Sequence, residues 1–153
     1  MARIVVVDDV PMTRKVIELA LRRMGHEVVG TCSPLAAPAI VREQAPDVVL
    51  LDYFMPCVDG ASLLGRLRKE FGDRCPKALF VSAAPYEVVM AGAERLSAQG
   101  YVSKPFRLRD LERAVVNALG THHIQATNST CECQQDECSE REEHVQLCYV
   151  AAL

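Results

Sequence analysis

Val48-Val49-Leu50-Leu51-Asp52-Tyr53-Phe54-Met55-Pro56, residues 48–56, is an apolar run that ends in a carboxylate. Pro46 and Asp47 precede it, and four consecutive apolar residues bounded in this way predict a short strand buried on both faces, as in a parallel sheet. Asp52 then lies at the carboxyl end of that strand. In an open α/β sheet, ligands bind at this edge. A carboxylate there serves as a metal ligand, a base or a nucleophile. The other residues of the chain indicate which of these roles applies.

The same alternation of strand and helix recurs along the chain. Apolar runs predict strands at residues 4–7, 27–31, 48–51, 78–81 and 101–102. Apolar residues at helical spacing predict helices from about 11 to 24, 35 to 44, 60 to 71, 86 to 98 and 108 to 119. Strands that alternate with helices indicate a doubly wound parallel sheet with helices on both faces.

The composition predicts a globular domain that does not enter a membrane. The chain has 153 residues, half of them hydrophobic, which is sufficient for one domain with a packed core. No apolar run approaches the roughly 18 residues of a membrane helix, and Met1 leads directly into a strand rather than a signal peptide. We therefore expect a cytoplasmic protein without membrane insertion. The charge is too balanced to indicate nucleic acid as a direct partner.

Gly120 marks the predicted domain boundary. Residues 1–120 hold 16 Lys and Arg against 14 Asp and Glu, whereas residues 121–153 hold one Arg against six acids. We expect a folded domain over 1–120 and an acidic, Cys-containing tail over 121–153 that is disordered. The alternative is a zinc site in the tail, although the spacing matches no common zinc motif. Its ligands would come from Cys131, Cys133, Cys138, His144 and Cys148. Cys32, Cys57 and Cys75 are predicted to be small core fillers in a reducing compartment.

Polar residues end four of the five predicted strands. They are Asp8 and Asp9, Asp52, Ser82, and Lys104. Each alone has a structural explanation, since an aspartate after a strand is often a helix N-cap and a lysine is usually on the surface. Together they meet at one edge of the sheet. Such convergence predicts a functional site.

The charges of these residues indicate the chemistry of the site. Two carboxylates about 4 Å apart repel by about 4 kcal/mol at an effective dielectric near 20, so three in one crevice require a compensating cation. Oxygen ligands suit Mg²⁺ or Mn²⁺ better than zinc. A divalent ion, an ammonium and a hydroxyl around one further carboxylate form a receptor for a phosphoryl group, with in-line attack by that carboxylate. The predicted product is an aspartyl phosphate.

Several motifs together resemble response-regulator receiver domains of two-component signalling, of the single-domain chemotaxis type. They are Val7-Asp8-Asp9, Asp52 with Met55-Pro56-Cys57-Val58-Asp59-Gly60, Ser82-Ala83, and Tyr101-Val102-Ser103-Lys104-Pro105-Phe106. The resemblance covers residues 2 to about 119. It implies a flavodoxin-like sheet with strand order 2-1-3-4-5.

The resemblance also implies a role for each site residue. Asp52 would accept phosphate from a histidine kinase or a histidine phosphotransfer protein. Magnesium would be bound by Asp9, by Asp8 largely through water, and by Asp52 and the carbonyl of Phe54. Lys104 would contact the phosphoryl group, and its bond to Pro105 would be cis. Ser82 and Tyr101 would form the switch, in which the hydroxyl moves toward the phosphate and the aromatic ring turns inward.

The sequence departs from this family at two positions beside the site. Phe54 and Ala84 are apolar where many relatives carry polar groups that influence hydrolysis, so the lifetime of the phosphoryl group is open. No catalytic or DNA-binding domain is recognisable after the receiver, so we expect a protein with no catalysis beyond its own phosphorylation and dephosphorylation. Its output would be a protein contact around the fourth helix, fifth strand and fifth helix.

Three other classes of protein share part of this pattern. A phosphatase of the haloacid-dehalogenase type needs an acid two residues after its aspartate, where this chain has Phe54. A nucleotide-binding domain needs a Gly-rich turn after the first strand, and Asp8-Asp9-Val10-Pro11 contains no glycine. The remaining alternative is an unphosphorylated receiver-like docking module.

Overall fold

A parallel five-stranded sheet forms the centre of the part of the chain that the computed structural model describes, residues 1–120. The strand order is β2-β1-β3-β4-β5, as the resemblance implies. The strands are β1 (Arg3–Val7), β2 (Glu27–Thr31), β3 (Val48–Leu51), β4 (Lys77–Ser82) and β5 (Gly100–Ser103). The half-polar β2 lies at one edge and the short β5 at the other, which leaves β1, β3 and β4 with neighbours on both sides.

Five α-helices connect and follow these strands. They are α1 (Pro11–Arg23), α2 (Ala37–Gln44), α3 (Gly60–Phe71), α4 (Tyr86–Arg95) and α5 (Leu108–Gly120). The predicted α2 and α4 were too long, since α2 begins two residues later than residue 35 and α4 ends three residues before residue 98. None of the helices within residues 1–120 is long and apolar enough to cross a membrane.

The sheet is buried on both faces, because alternate residues of the central strands enter two separate cores. Val49, Leu51 and Phe80 pack with α2, α3 and α4, whereas Val48 and Leu50 pack with α1 and α5. This explains why the run at 48–51 is uninterrupted rather than alternating. β3 runs parallel to β1, and Asp52 follows at its carboxyl end.

The turn that follows Asp52 is fixed by the first residues of α3. Asp59 is the N-cap of this helix, and its carboxylate accepts hydrogen bonds from the Ser62 N–H at 2.7 Å and from the Ser62 hydroxyl at 3.0 Å. The N–H of Gly60 donates to the Tyr53 carbonyl at 2.8 Å. The chain therefore leaves Asp52 and enters α3 through a short turn that is hydrogen-bonded at both ends.

Two of the three cysteines in residues 1–120 were predicted incorrectly. Cys32 and Cys57 are exposed free thiols in loops, whereas Cys75 is partly buried and packs against the core as predicted. The proposed tail with its alternative zinc ligands, residues 121–153, lies outside the described residues.

Candidate functional site

The carboxyl ends of β1 and β3 bring Asp8 and Asp52 side by side. The two strands are paired in parallel from Ile4–Val48 to Val7–Leu51, and the N–H of Asp52 continues this pairing by donating to the Val7 carbonyl at 2.9 Å. Both aspartate side chains are almost completely buried. The site is therefore at the sheet edge where the sequence placed it.

Lys104 joins these two carboxylates. Its Nζ lies 2.7 Å from Asp8 Oδ2 and 2.8 Å from Asp52 Oδ2. The lysine side chain is only 12% exposed. The backbone N–H of Lys104 donates to the Ser82 carbonyl at 2.8 Å, which holds the end of β5 against β4. One ammonium thus contacts the ends of two strands that are distant in sequence.

Burial and charge act in opposite directions on these groups. Burial raises the pKa of the Asp8 carboxyl, and the charge of Asp52 adds to this; together they outweigh the hydrogen bonds and the positive charge of Lys104, which lower it. Burial alone would lower the pKa of the Lys104 ammonium, but its hydrogen bonds and its attraction to Asp52 and Asp8 raise it overall. Lys104 therefore stays charged, but its charge does not offset the effect of burial on the Asp8 carboxyl.

Asp9 completes a group of three carboxylates. Among residues 1–120, one oxygen each from Asp8, Asp9 and Asp52 lies within 4.8 Å of the others. Two full charges at that distance repel by about 3.5 kcal/mol at an effective dielectric near 20. The donor set consists of oxygen atoms only, and Asp9 is partly exposed so that water can reach it. These residues fit a hard divalent cation such as Mg²⁺.

The remaining oxygens of the two buried carboxylates are held by backbone N–H groups. Asp8 Oδ1 accepts from the Val10 N–H at 2.8 Å, and Asp52 Oδ1 accepts from the Phe54 N–H at 3.3 Å. The guanidinium of Arg14 donates to the Asp8 backbone carbonyl at 3.1 Å. Sequence reasoning did not single out Arg14, although its place one turn into the helix after Asp8-Asp9 was a usable signal.

Ser82 and Tyr101 lie around the loop between β4 and α4. The buried Ser82 hydroxyl accepts a hydrogen bond from the Ala84 N–H at 3.2 Å, which leaves its own proton to donate. The Tyr101 hydroxyl donates to the carbonyl of Ala84 at 2.8 Å and lies 3.2 Å from that of Ser82. Burial raises the pKa of the Tyr101 phenol, with a further contribution from the charge of Glu87. Tyr101 therefore contacts the backbone that carries Ser82 but not the carboxylates.

Phe54 and Ala84 differ in their surroundings. The Phe54 ring is 60% exposed and packs edge to face against Tyr53, whereas Ala84 is buried and its own carbonyl accepts the hydrogen bond from Tyr101. Neither side chain has a group that can donate or accept a hydrogen bond. The Lys104–Pro105 peptide bond is cis, as predicted.

A family model described as the response regulator receiver domain matches residues 4–116. A putative response regulator from Chloroflexus aurantiacus is 27% identical with a TM-score of 0.73; the match covers 78% of this chain and 98% of that one. A response regulator receiver domain protein from Clostridium thermocellum is 26% identical with a TM-score of 0.71, covering 78% of this chain and 95% of that one. The fold is also similar to that of the Vibrio cholerae chemotaxis protein CheY4, at 22% identity and a TM-score of 0.71, over 76% of this chain and 97% of that one. The chain belongs to the response regulator receiver domain family.

Proposed function

We propose that this receiver accepts a phosphoryl group on Asp52 from a histidine kinase or a histidine phosphotransfer protein. The observation that carries the proposal is the position of Lys104 Nζ, within 2.8 Å of Asp52 and 2.7 Å of Asp8. A buried carboxylate held by a lysine ammonium, beside two further carboxylates, suits a nucleophile whose product carries additional negative charge.

The proposed transfer exchanges one bond to phosphorus for another. An oxygen of Asp52 forms a bond to phosphorus in line with the phosphorus–nitrogen bond of the donor's phosphohistidine, and that bond breaks to leave the imidazole. Lys104 then has a phosphoryl oxygen within reach in place of the carboxylate oxygen that it now contacts. Ser82 can donate its free hydroxyl proton to another phosphoryl oxygen, because its own lone pair already accepts from Ala84.

Asp8, Asp9, Asp52 and the backbone carbonyl of Phe54 are the proposed ligands of Mg²⁺ or Mn²⁺. When bound, the cation would offset the negative charge that gathers on the phosphoryl oxygens. The raised pKa of Asp8 supports a further positive charge at this place, since Lys104 alone leaves that carboxyl under-compensated. Phosphorylation is accordingly expected to require the divalent ion.

The output is proposed to be a protein contact at the surface formed by α4, β5 and α5. Tyr101 is on β5, and its hydroxyl is bonded to the carbonyls of Ser82 and Ala84 at the entrance to α4. A movement of Ser82 toward a phosphoryl group would alter these bonds and so the position of the Tyr101 ring. Such a coupling requires states that differ by a few kcal/mol, so that phosphorylation moves the population between them.

The phosphoacceptor is tested with acetyl phosphate and Mg²⁺, followed by intact-protein mass spectrometry. The wild type is expected to gain one phosphoryl group, and Asp52→Asn is expected to gain none. Asp59→Asn is the matched control, because asparagine caps a helix as well as aspartate does and Asp59 lies outside the site. It should be labelled like the wild type.

The competing function is an unphosphorylated receiver-like docking module. A wild type that resists acetyl phosphate over the full range of Mg²⁺ concentration would support that alternative. Equal labelling of the wild type and Asp52→Asn would instead refute the choice of Asp52. A phosphotransfer profile against the histidine kinases of the same cell would then identify the donor.

A further inference from the structure

We infer that Tyr53 is a positioning residue that links the phosphoacceptor turn to α4, by a route separate from Ser82 and Tyr101. This inference rests on the proposed function of Asp52. Tyr53 follows Asp52 directly in the chain, so a change at the carboxylate reaches its backbone without an intermediate contact.

The ring of Tyr53 is fixed by two other aromatic rings. It lies edge to face against Phe80, with 5.5 Å between ring centroids, and against Phe54, with 5.3 Å. Phe80 belongs to β4 and is fully buried, so one side of the Tyr53 ring rests on the rigid sheet. The ring therefore directs its hydroxyl to a defined place.

That place is the backbone of α4. The Tyr53 hydroxyl donates to the Val88 carbonyl in the first turn of the helix, at 3.3 Å. One turn later the helix carries Gly92, where an added Cβ would lie 3.2 Å from the Tyr53 hydroxyl oxygen and 3.3 Å from Ala61 Cβ. The absence of a side chain at Gly92 lets α4 approach both Tyr53 and α3.

A small number of α4 side chains pack against the rest of the described fold. Met90 lies against the core beside Val89, and the Tyr86 ring is 5.8 Å from that of Tyr101 between centroids. Val89 is the buried anchor of the helix, whereas most of the described side chains between 87 and 95 are exposed or only partly buried. The hydroxyl of Tyr53 adds to this packing a polar contact with the α4 backbone. Because α4 is part of the surface through which we propose that the receiver signals, Tyr53 would convey the state of Asp52 to that surface.

Hydrogen exchange in residues 86–95, measured by mass spectrometry with and without acetyl phosphate and Mg²⁺, tests this link. In the wild type, phosphorylation is expected to change the exchange rates of these amides. Tyr53→Phe keeps the ring and removes only the hydroxyl. It should leave phosphorylation of Asp52 intact and reduce the phosphorylation-dependent change about fivefold, the weight of one neutral hydrogen bond. Tyr86→Phe makes the same substitution within α4 and should behave like the wild type.

Each result bears on one of the two proposals. If Tyr53→Phe and wild type show the same phosphorylation-dependent change, Tyr53 only packs and the inference is wrong. If the wild type is phosphorylated on Asp52 but residues 86–95 do not respond, the inference is also wrong while the phosphoacceptor stands. Failure to label the wild type at all would overturn the proposed function and, with it, this inference. A similar loss in Tyr86→Phe would show that any tyrosine hydroxyl near α4 has this effect, and would refute the role of Tyr53.

Discussion

Replacing Gly60 with alanine is expected to destabilise the fold and to disturb Asp52 at the same time. An ideal Cβ at Gly60 would lie 2.3 Å from the backbone carbonyl oxygen of Asp52 and 3.0 Å from the Cα of Tyr53. These neighbours are backbone atoms, which cannot rotate away as the end of a side chain can. The turn between β3 and α3 must therefore open, and the hydrogen bond from the Gly60 N–H to the Tyr53 carbonyl, now 2.8 Å, must lengthen.

The free energies involved give a net loss of stability. Overpacking of this kind costs about 1–3 kcal/mol. The weakened backbone hydrogen bond adds about 1 kcal/mol. Against this, alanine reduces the entropy of the unfolded chain relative to glycine and returns about 0.4–1 kcal/mol. We expect the free energy of unfolding to fall by about 1–4 kcal/mol.

Gly65→Ala, on the same helix, is the matched control with the opposite expected sign. A Cβ there would make an ordinary contact of 3.7 Å with Leu96 Cδ2, and alanine in a helix interior is favoured over glycine by about 0.8–1 kcal/mol. Urea unfolding at 25 °C in the presence of a chelator, analysed at a common slope, compares the two variants. Initial rates of Asp52 labelling by acetyl phosphate, measured where both variants are folded, should fall at least about tenfold in Gly60→Ala only.

Two results would refute this reasoning. If Gly60→Ala is as stable as Gly65→Ala, the close approach of α3 to the Asp52 carbonyl does not constrain the fold. If Gly60→Ala is destabilised but labelled at the normal rate, the turn relaxes without displacing the Asp52 carboxylate. The stability result would then concern packing alone.

Three further predictions concern charge, hydrolysis and the tail. Burial raises the pKa of Asp8 above its ordinary value of 3.8, so the folded protein binds this proton more tightly than the unfolded chain does. The free energy of unfolding therefore falls as the pH rises from 3.8 through the raised pKa. Asp8→Asn, which has no charge to bury, should raise the thermal midpoint in metal-free buffer at neutral pH. Mg²⁺ should raise the midpoint of the wild type more than that of Asp8→Asn, and a variant less stable than the wild type without metal would contradict this prediction. Phe54→Asn should shorten the lifetime of phosphorylated Asp52, measured by loss of the mass increment, because an amide can orient the attacking water and an exposed phenyl ring cannot; an unchanged or longer lifetime would show that Phe54 does not limit hydrolysis. A chain ending at Gly120 should match the full chain in thermal midpoint and in labelling, since the apolar stripe of α5 is already buried; a large fall on truncation, or a chelator-sensitive transition only in the full chain, would favour an ordered tail with a zinc site.

The sequence predicted the sheet well because its strands are buried on both faces. The uninterrupted run at 48–51 has one simple explanation, and the polar residue at its end then indicates where the site lies. Strand order and the cis bond at Lys104–Pro105 came from the resemblance rather than from periodicity, and both are confirmed. The ends of α2 and α4 were less predictable, because small residues such as Ala36 and Ala98 are compatible with either a helix or a turn.

The sequence indicated which residues form the site but not which atoms of these residues contact one another. That Asp8, Asp52 and Lys104 converge follows from the topology, but which oxygen contacts which donor depends on side-chain conformation. The hydrogen bond from Tyr53 to Val88 could not be predicted either, since it depends on how closely α4 packs on α3. Cys32 and Cys57 show the same limit: residue type alone did not distinguish an exposed loop position from a filled gap in the core.

The double contact of Lys104 has a consequence for when the protein becomes competent during synthesis. Its partners Asp8 and Asp52 are 96 and 52 residues earlier in the chain. A growing polypeptide that has already formed β1 and β3 therefore holds its carboxylates together without their common ammonium. That ammonium arrives only with the last strand of the sheet. A donor that depends on Lys104 would thus ignore every nascent chain in which β5 and Lys104 have not yet joined the sheet.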